Sequence, residues 1–520
     1  MKNKILFSVL FIAFMAVIQG LNAQPISSHQ IDSITEKVLK AFDVPGIAVA
    51  VVKDGKVIHQ KGYGVRSLRT GEKVDQHTLF GIASNSKAFT AAALGMLVDE
   101  GKLNWDDKVR KYIPEFTLYA PFVSENFTIT DLLTHRSGLG LGAGDLMIWP
   151  GDNSFTKQQI IHNLRYLKQV SDFRTKWDYD NLLYIVAGEV VKKVSGKSWE
   201  EFVEQRIMKP LGMTESAASF TRLKDSSNVI DPHAPVNGKV QAIHRELIET
   251  ANAAGGIYSN LEDMTKWIIM QLNDGKYGEK LGQQLFSPEV HWDMWSMHTI
   301  MDVYPGSRYN THFAGYGLGW FLNDEMGYKT VSHTGGLAGI VTQVLLVPEL
   351  KLGMLVFTNQ QSGAAFSAIT TSIRDAYYGV KGKDRIKEYL GYTTSARSNA
   401  DKILDSIYKK IDNTKETPAL PLSKYAGTYQ DPWFGKITLT EKAGKLFFQA
   451  EKSPKLHGQI SFITGNTFAV KWDDRAMEAD AYMLFSLDYN GDPYTIQMKP
   501  ISPLTDFSYD FQDLNFTKIK

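Results

Sequence analysis

Residues 80–101 read Phe80-Gly81-Ile82-Ala83-Ser84-Asn85-Ser86-Lys87-Ala88-Phe89-Thr90-Ala91-Ala92-Ala93-Leu94-Gly95-Met96-Leu97-Val98-Asp99-Glu100-Gly101, an alanine-rich run with a serine and a lysine three apart near its head. The pattern predicts a helix from Ser84 onward. Phe89, Ala92, Ala93, Met96 and Leu97 recur at helical spacing, few β-branched residues interrupt them, and Gly101 stands where a left-handed cap would end the helix. Residues three apart share a helical face, so the Lys87 amine can reach the Ser84 hydroxyl. A serine alcohol becomes a competent nucleophile when a neighbouring base takes its proton, and a lysine is such a base if burial keeps it neutral. The first N–H groups of a helix lack partners within it, so the Ser84 amide is also placed to bind an oxyanion. The S-x-x-K spacing recurs at Ser154 to Lys157 and Ser406 to Lys409. Taken alone, Ser84 as a helix cap and Lys87 as a solvated lysine is the simpler reading.

Upstream of this run, residues 27–43 have amphipathic helical spacing, and β-rich runs at 45–53 and 56–64 meet at Asp54-Gly55, a hairpin signal. Downstream, residues 105–213 are mostly helical and loop-rich, and a helix within 131–139 is predicted to end at Gly138. A helix follows at 261–272, strand patterns return at 316–322, 339–347 and 353–358, and 364–378 reads as a closing helix. Strands at both ends with helices between them predict an α/β domain over residues 24–382. Its antiparallel sheet is assembled from distant segments, flanked by helices, and carries a mostly helical inserted subdomain. A charged helical linker, 383–415, leads to the boundary signal Thr417-Pro418-Ala419-Leu420-Pro421. Short strands with turns between them, Asn490-Gly491 among these, then predict a small antiparallel all-β, barrel-like domain over 416–520. Its aromatics are assigned to the core rather than to a sugar-stacking platform.

The chain has 520 residues, enough for two or three domains, and Lys+Arg 57 against Asp+Glu 56 leaves a net charge of +1. Such a balance gives no electrostatic preference for nucleic acid or an anionic membrane. Met1-Lys2-Asn3-Lys4, the apolar run 5–18 and the small residue Ala23 make residues 1–23 a signal peptide, with an uncleaved anchor as the alternative. Cysteine is absent, which excludes disulfides and a cysteine-linked lipid anchor. The expectation is a bacterial periplasmic or secreted protein with no membrane span after signal removal.

Two further segments give Ser84 and Lys87 company. Lys176-Trp177-Asp178-Tyr179-Asp180-Asn181 leads into the apolar helical run 182–188, and Val331-Ser332-His333-Thr334-Gly335-Gly336 lies between strand-like segments. In this order S-x-x-K, Y-x-N and H-x-G resemble the serine β-lactamase and penicillin-binding-protein superfamily. The resemblance is to the branch holding class C β-lactamases, D-alanyl-D-alanine peptidases, D-aminopeptidases and related esterases. It spans residues 45–358, with family-like stretches at 130–139, 254–263, 316–320 and 335–340. Sister enzymes carry S-D-N and K-T-G in place of the last two motifs. Tyr258-Ser259-Asn260 also fits Y-x-N, but it follows Gly255-Gly256 in a stretch that resembles a structural segment, so Tyr179 is preferred.

The resemblance implies that Ser84 is acylated and that Lys87 and Tyr179 share the proton work; which of the two is the base stays open. A phenol titrates near ~10, so Tyr179 serves as phenolate only if cations such as Lys87 lower it. Asn181 would hold the substrate amide and orient Lys87. The strand through His333, Thr334 and Gly335 would pair with substrate, and the Gly336 N–H would join that of Ser84 as an oxyanion hole. Class C β-lactamases have lysine at the His333 position, facing the antibiotic carboxylate, and a histidine is mostly neutral at neutral pH. Peptide, D-amino-acid or ester substrates, cell-wall material among them, are therefore expected ahead of efficient β-lactam turnover. No cofactor is implied, and oligomeric state is left open. The rival from another class is a non-catalytic penicillin-binding-like sensor or cell-wall binding protein. No H-E-x-x-H or G-x-S-x-G occurs, which disfavours a metallohydrolase and an α/β-hydrolase.

Overall fold

A computed structural model describes residues 25–519, so the signal-peptide expectation for 1–23 lies outside the described residues. Ser27 caps the first helix, α1 (Ser28–Ala41). Its hydroxyl accepts from the Gln30 N–H while the Gln30 side chain accepts from the Ser27 N–H, a reciprocal cap contributing about 1 kcal/mol. Strands β1 (Gly46–Lys53) and β2 (Lys56–Gly64) follow. In the turn between them Asp54 and Gly55 have φ of 52° and 73°, the hairpin geometry an Asp-Gly pair favours.

Helices α2 (Ser86–Asp99), α3 (Leu182–Ser195) and α4 (Leu261–Gln271) precede six more strands. These are β3 (Thr299–Met301), β4 (Ala314–Tyr316), β5 (Phe321–Glu325), β6 (Tyr328–Leu337), β7 (Ile340–Val347) and β8 (Leu352–Thr358), and helix α5 (Gly363–Tyr378) closes the set. The eight strands form one antiparallel sheet in the order β2-β1-β8-β7-β6-β5-β4-β3, so the two ends of the domain meet at the β1–β8 pair. Ala48, Ala50 and Val52 point into the core shared with α2 and α4, while Ile47, Val49 and Val51 point into a second core against α1 and α5. Burial on both faces is why β1 reads as an unbroken apolar run rather than alternating.

Two expected boundaries move. The helix within 131–139 is Ile129–Leu133, ending before His135, whose φ of 55° no helix continues through. The strand expected at 316–322 is split between β4 and β5, because Gly319 turns at φ 80° and a Cβ there would lie 2.9 Å from the Lys87 carbonyl oxygen. The chain breaks its ladder where α2 passes.

The long helix α6 (Arg385–Asn413) connects to eight strands, β9 (Gly427–Asp431), β10 (Gly435–Lys442), β11 (Lys445–Ala450), β12 (His457–Thr464), β13 (Thr467–Trp472), β14 (Ala481–Leu487), β15 (Pro493–Pro500) and β16 (Asn515–Lys518). They form a closed antiparallel barrel, sealed where Tyr429 of β9 pairs with Lys518 of β16. Tyr429, Phe448, Phe468, Trp472 and Phe485 are buried inside it, which gives these aromatics to the core, as expected. Ile403, Ile407 and Ile411 of α6 pack on Ile463 and Ile501 of the barrel. Against the α/β domain, Asn163 Nδ2 donates to Trp433 O at 2.7 Å, and Lys455 pairs with Glu246 at 2.8 Å. Among the described residues no helix is long and apolar enough to cross a membrane.

Candidate active site

Ser84 sits in a 3₁₀ turn, Ala83–Asn85, and α2 begins only at Ser86, two residues later than its sequence pattern suggests. The cause is Ala83, held at φ 50°. A non-glycine residue there stores ~1–3 kcal/mol of strain and persists only where its surroundings over-determine it. Asn85 Nδ2 donates to Ile82 O at 3.1 Å and to Thr342 Oγ1 at 2.9 Å, and Thr342 Oγ1 donates to Ile82 O at 2.9 Å. Ser86 Oγ accepts from the Ile257 N–H at 3.1 Å. Thr342 is the register partner of Gly335, so strand β6 runs directly against this turn.

Lys87, one residue into α2, is fully buried. Its Nζ donates to Asn181 Oδ1 at 2.8 Å and to Ala254 O at 2.9 Å, and it lies 3.1 Å from Ser84 Oγ. The rings of Tyr179 and Tyr184 cover it, with centroids at 4.8 and 5.1 Å. Burial pushes the amine down to about 7, against the opposing pull of Asp145 and Asp180. Tyr179 and Asn181 stand at the head of α3, where Asp180 Oδ1 accepts from the Leu182 and Leu183 N–H groups. Burial raises the Asp180 carboxyl to about 7, against those hydrogen bonds and Lys87. The Tyr179 phenol is pushed well above its ordinary value by burial, against a smaller pull from the Ser84 hydroxyl. The phenolate route, which needed a lowered phenol, is not what this environment favours.

His333 is 1% exposed. Its Nδ1 lies 2.6 Å from Thr334 O, so that nitrogen carries the proton and donates, and Nε2 accepts from the Tyr316 hydroxyl at 2.8 Å. Burial pushes the imidazole down to about 3, with Lys87 adding to the effect. His333 is therefore a neutral strut and supplies no cation. Ser84, Tyr179, Asn181, His333, Thr334 and Gly336 all line one cleft of about 1730 Å³, with Lys87 buried beside it and Gly335 packed on Ile82 and Ala83, just ahead of Ser84 in the chain. Of the other matches to these motifs, Ser406 Oγ donates to Ile403 O and Ser154 Oγ to Lys452 O, both outside the cleft; Tyr258 reaches the cleft wall, but its Asn260 caps α4 by accepting from the Asp263 N–H.

Three features of the site belong to none of the three motifs. His135 brackets Tyr179, its carbonyl accepting from the Asp178 N–H at 2.9 Å and its Nδ1 from the Asp180 N–H at 3.1 Å, with the two rings 4.2 Å apart. The stretch 130–139 was visible as family-like, yet a histidine that acts through backbone amides leaves no spacing signature. Asp145, fully buried, accepts from Asn181 Nδ2 at 2.7 Å. Finally, Phe507, Ser508 and Tyr509 of the barrel domain line the same cleft.

A family model described as Beta-lactamase matches residues 31–378, and one described as Domain of unknown function (DUF3471) matches residues 412–518. "Unguisins hydrolase ungD'" of Aspergillus campestris is 27% identical over 448 residues, covering 83% of this chain and 81% of that protein. "Protein flp" of Staphylococcus aureus is 29% identical over 344 residues, 65% of this chain and 64% of that one. In fold, the chain is similar to an octameric penicillin-binding protein homologue from Pyrococcus abyssi, with a TM-score of 0.59 and 22% identity over 95% of this chain and 100% of that one. It is also similar in fold to SurE, with a TM-score of 0.56 and 18% identity over 95% and 99%.

Proposed function

The chain belongs to the beta-lactamase family, and on that premise we propose that it is an exported serine hydrolase working through an acyl-enzyme on Ser84. One observation carries the reading. A neutral lysine amine has two hydrogens and one lone pair; two fixed acceptors, Asn181 Oδ1 and Ala254 O, take the hydrogens, which leaves the lone pair for the third neighbour, Ser84 Oγ. An amine held near about 7 has a large neutral fraction at physiological pH. Lys87 is thus the better base of the two left open by the sequence, and Tyr179, kept as a phenol, is suited to hand a proton toward the leaving group.

In this scheme Lys87 takes the Ser84 proton as Oγ attacks a carbonyl carbon. The oxyanion is received by the Ser84 and Gly336 N–H groups, a donor pair of a kind in which each member is typically worth ~10²–10³ in rate. Collapse expels the protonated leaving group, and water then attacks the ester with the same groups in reversed roles. The neutral His333 offers no fixed cation to a carboxylate beside the reacting carbonyl, which supports a reading in which peptide, D-amino-acid or ester substrates are preferred to β-lactams. A relative named as a hydrolase supports the reaction class.

Intact-mass analysis after exposure to a fluorophosphonate, with penicillin in parallel, tests the reading. The expected result is one adduct on Ser84 with the fluorophosphonate, lost in Ser84→Ala, and slow or absent penicillin turnover. Labelling at another serine, or none with either probe, overturns it and favours the non-catalytic sensor.

A further inference from the structure

Ser508 lies 363 residues from Asp145 in the chain, yet its hydroxyl donates to Asp145 Oδ2 at 2.8 Å. The same oxygen accepts from Asn181 Nδ2 at 2.7 Å, and Asn181 Oδ1 in turn accepts from Lys87 at 2.8 Å. We propose that Ser508, carried by the barrel domain, is a positioning residue of the active site that acts on Lys87 through Asp145 and Asn181. The proposal rests on the serine-hydrolase reading above.

The physical case starts with the amide of Asn181, whose oxygen and nitrogen exchange places on a half-turn. Only the orientation with oxygen toward Lys87 gives the amine a second acceptor beside Ala254 O, and Asp145 selects it by accepting from the amide nitrogen on the far side. Asp145 is fully buried, and its other oxygen, Oδ1, has no partner, so Oδ2 carries all of its side-chain hydrogen bonding. A buried carboxyl depends strongly on each donor it keeps, and Ser508 supplies one of two.

The surrounding contacts hold this link in place from the barrel side. Asp510, also fully buried, accepts from the Gly144 N–H at 2.7 Å and the Leu146 N–H at 3.0 Å, the amides on either side of Asp145. The Phe507 ring meets the Tyr179 ring edge-on, with centroids 5.8 Å apart. The Phe507 carbonyl packs so closely on Gly142 that a Cβ there would lie 2.6 Å from it, and the Gly142 N–H donates to Tyr179 O at 2.8 Å. Residues 507–510 therefore grip both the lysine-holding and the tyrosine-bearing sides of the site.

The full chain is labelled with a fluorophosphonate over a range of probe concentrations, following the Ser84 adduct by mass. Ser508→Ala should lower the saturating acylation rate roughly three- to tenfold, the loss of one hydrogen bond to a buried carboxyl, with the half-saturating concentration unchanged. Ser508→Thr, which keeps the hydroxyl, should recover most of that loss. In an Asp145→Ala background, Ser508→Ala should have no further effect. A wild-type rate in Ser508→Ala, a change in half-saturation alone, a Thr variant as slow as Ala, or additive effects with Asp145→Ala each overturn the proposal. If Ser508→Ala loses its cooperative thermal transition, Ser508→Cys, similar in size and a weak donor, is measured in its place. Wild-type protein that is not labelled on Ser84 would instead overturn the serine-hydrolase reading itself.

Discussion

Gly335 passes Ile82 so closely that a Cβ on the glycine would sit 2.3 Å from the Ile82 carbonyl oxygen and 2.9 Å from Ala83 Cβ. Backbone contact of this kind is what seats strand β6 against the turn bearing Ser84. Gly335→Ala is expected to displace that turn and lower Ser84 acylation by roughly 10², the cost of a misplacement near 1 Å. A Cβ on Gly336 meets nothing within 4 Å, so Gly336→Ala should keep the wild-type thermal midpoint. Acylation rates and melting curves of the two variants, compared side by side, check both expectations.

The pH dependence of acylation follows from Lys87. In the proposed mechanism the base is the unprotonated amine, and burial holds it near about 7. The labelling rate should therefore rise with pH through about 7, fall about tenfold per unit below it, and level off above it. His333, pushed down to about 3, and Tyr179, pushed well above its ordinary value, add no limb between about pH 5 and 9. A pH series of fluorophosphonate labelling measures this; a rate independent of pH across about 6 to 8 contradicts it.

Tyr179→Phe keeps the ring that packs on His135, Phe507 and the Lys87 amine but removes the proton-carrying hydroxyl. Ester turnover is expected to fall by ~10²–10⁴, the usual contribution of a positioned acid or base, with the melting temperature little changed. Near-normal turnover of an alkyl ester, whose alkoxide leaving group must be protonated as it departs, would remove the hydroxyl from the mechanism.

On the opposite side of the sheet, Arg374 of α5 donates to both oxygens of Glu325 on β5, at 2.5 and 2.6 Å, and both residues are buried. Removing one partner leaves an uncompensated buried charge, so Arg374→Ala should destabilise the domain by about 3–5 kcal/mol. Denaturant unfolding monitored by tryptophan fluorescence reads this out. The fraction that stays folded should label at the wild-type rate, because this ion pair lies away from the cleft.

His135 and Asp145 show where sequence reading stops. Ser84, Lys87, Tyr179, Asn181 and the His333 strand could be singled out because S-x-x-K, Y-x-N and H-x-G stand in the order of the family they resemble, each within a short stretch of chain. His135 acts through two backbone amides and Asp145 through a side-chain amide, and neither task constrains residues nearby in the chain. The neutral state of His333 was anticipated from its ordinary titration range; its fixed proton on Nδ1 and its role as a strut for Tyr316 required the neighbours to be in place.

Local chemistry and periodicity thus determined most of the elements, a sheet built from both ends of one domain and a separate β-rich C-terminal unit, and the ordered motifs, through the family they resemble, singled out Ser84, Lys87, Tyr179, Asn181 and His333. Those properties are carried by hydrophobic period, turn residues and motif spacing, all of which are short-range. Tertiary structure alone decided that Ala83 is strained into a turn ahead of α2, that Lys87 is dry enough to lose its proton near neutrality, and that residues 507–510 of the barrel close around Asp145 and Tyr179. Strain, desolvation and contacts between residues hundreds of positions apart depend on what surrounds a group in space, and chain order does not encode that in any local pattern.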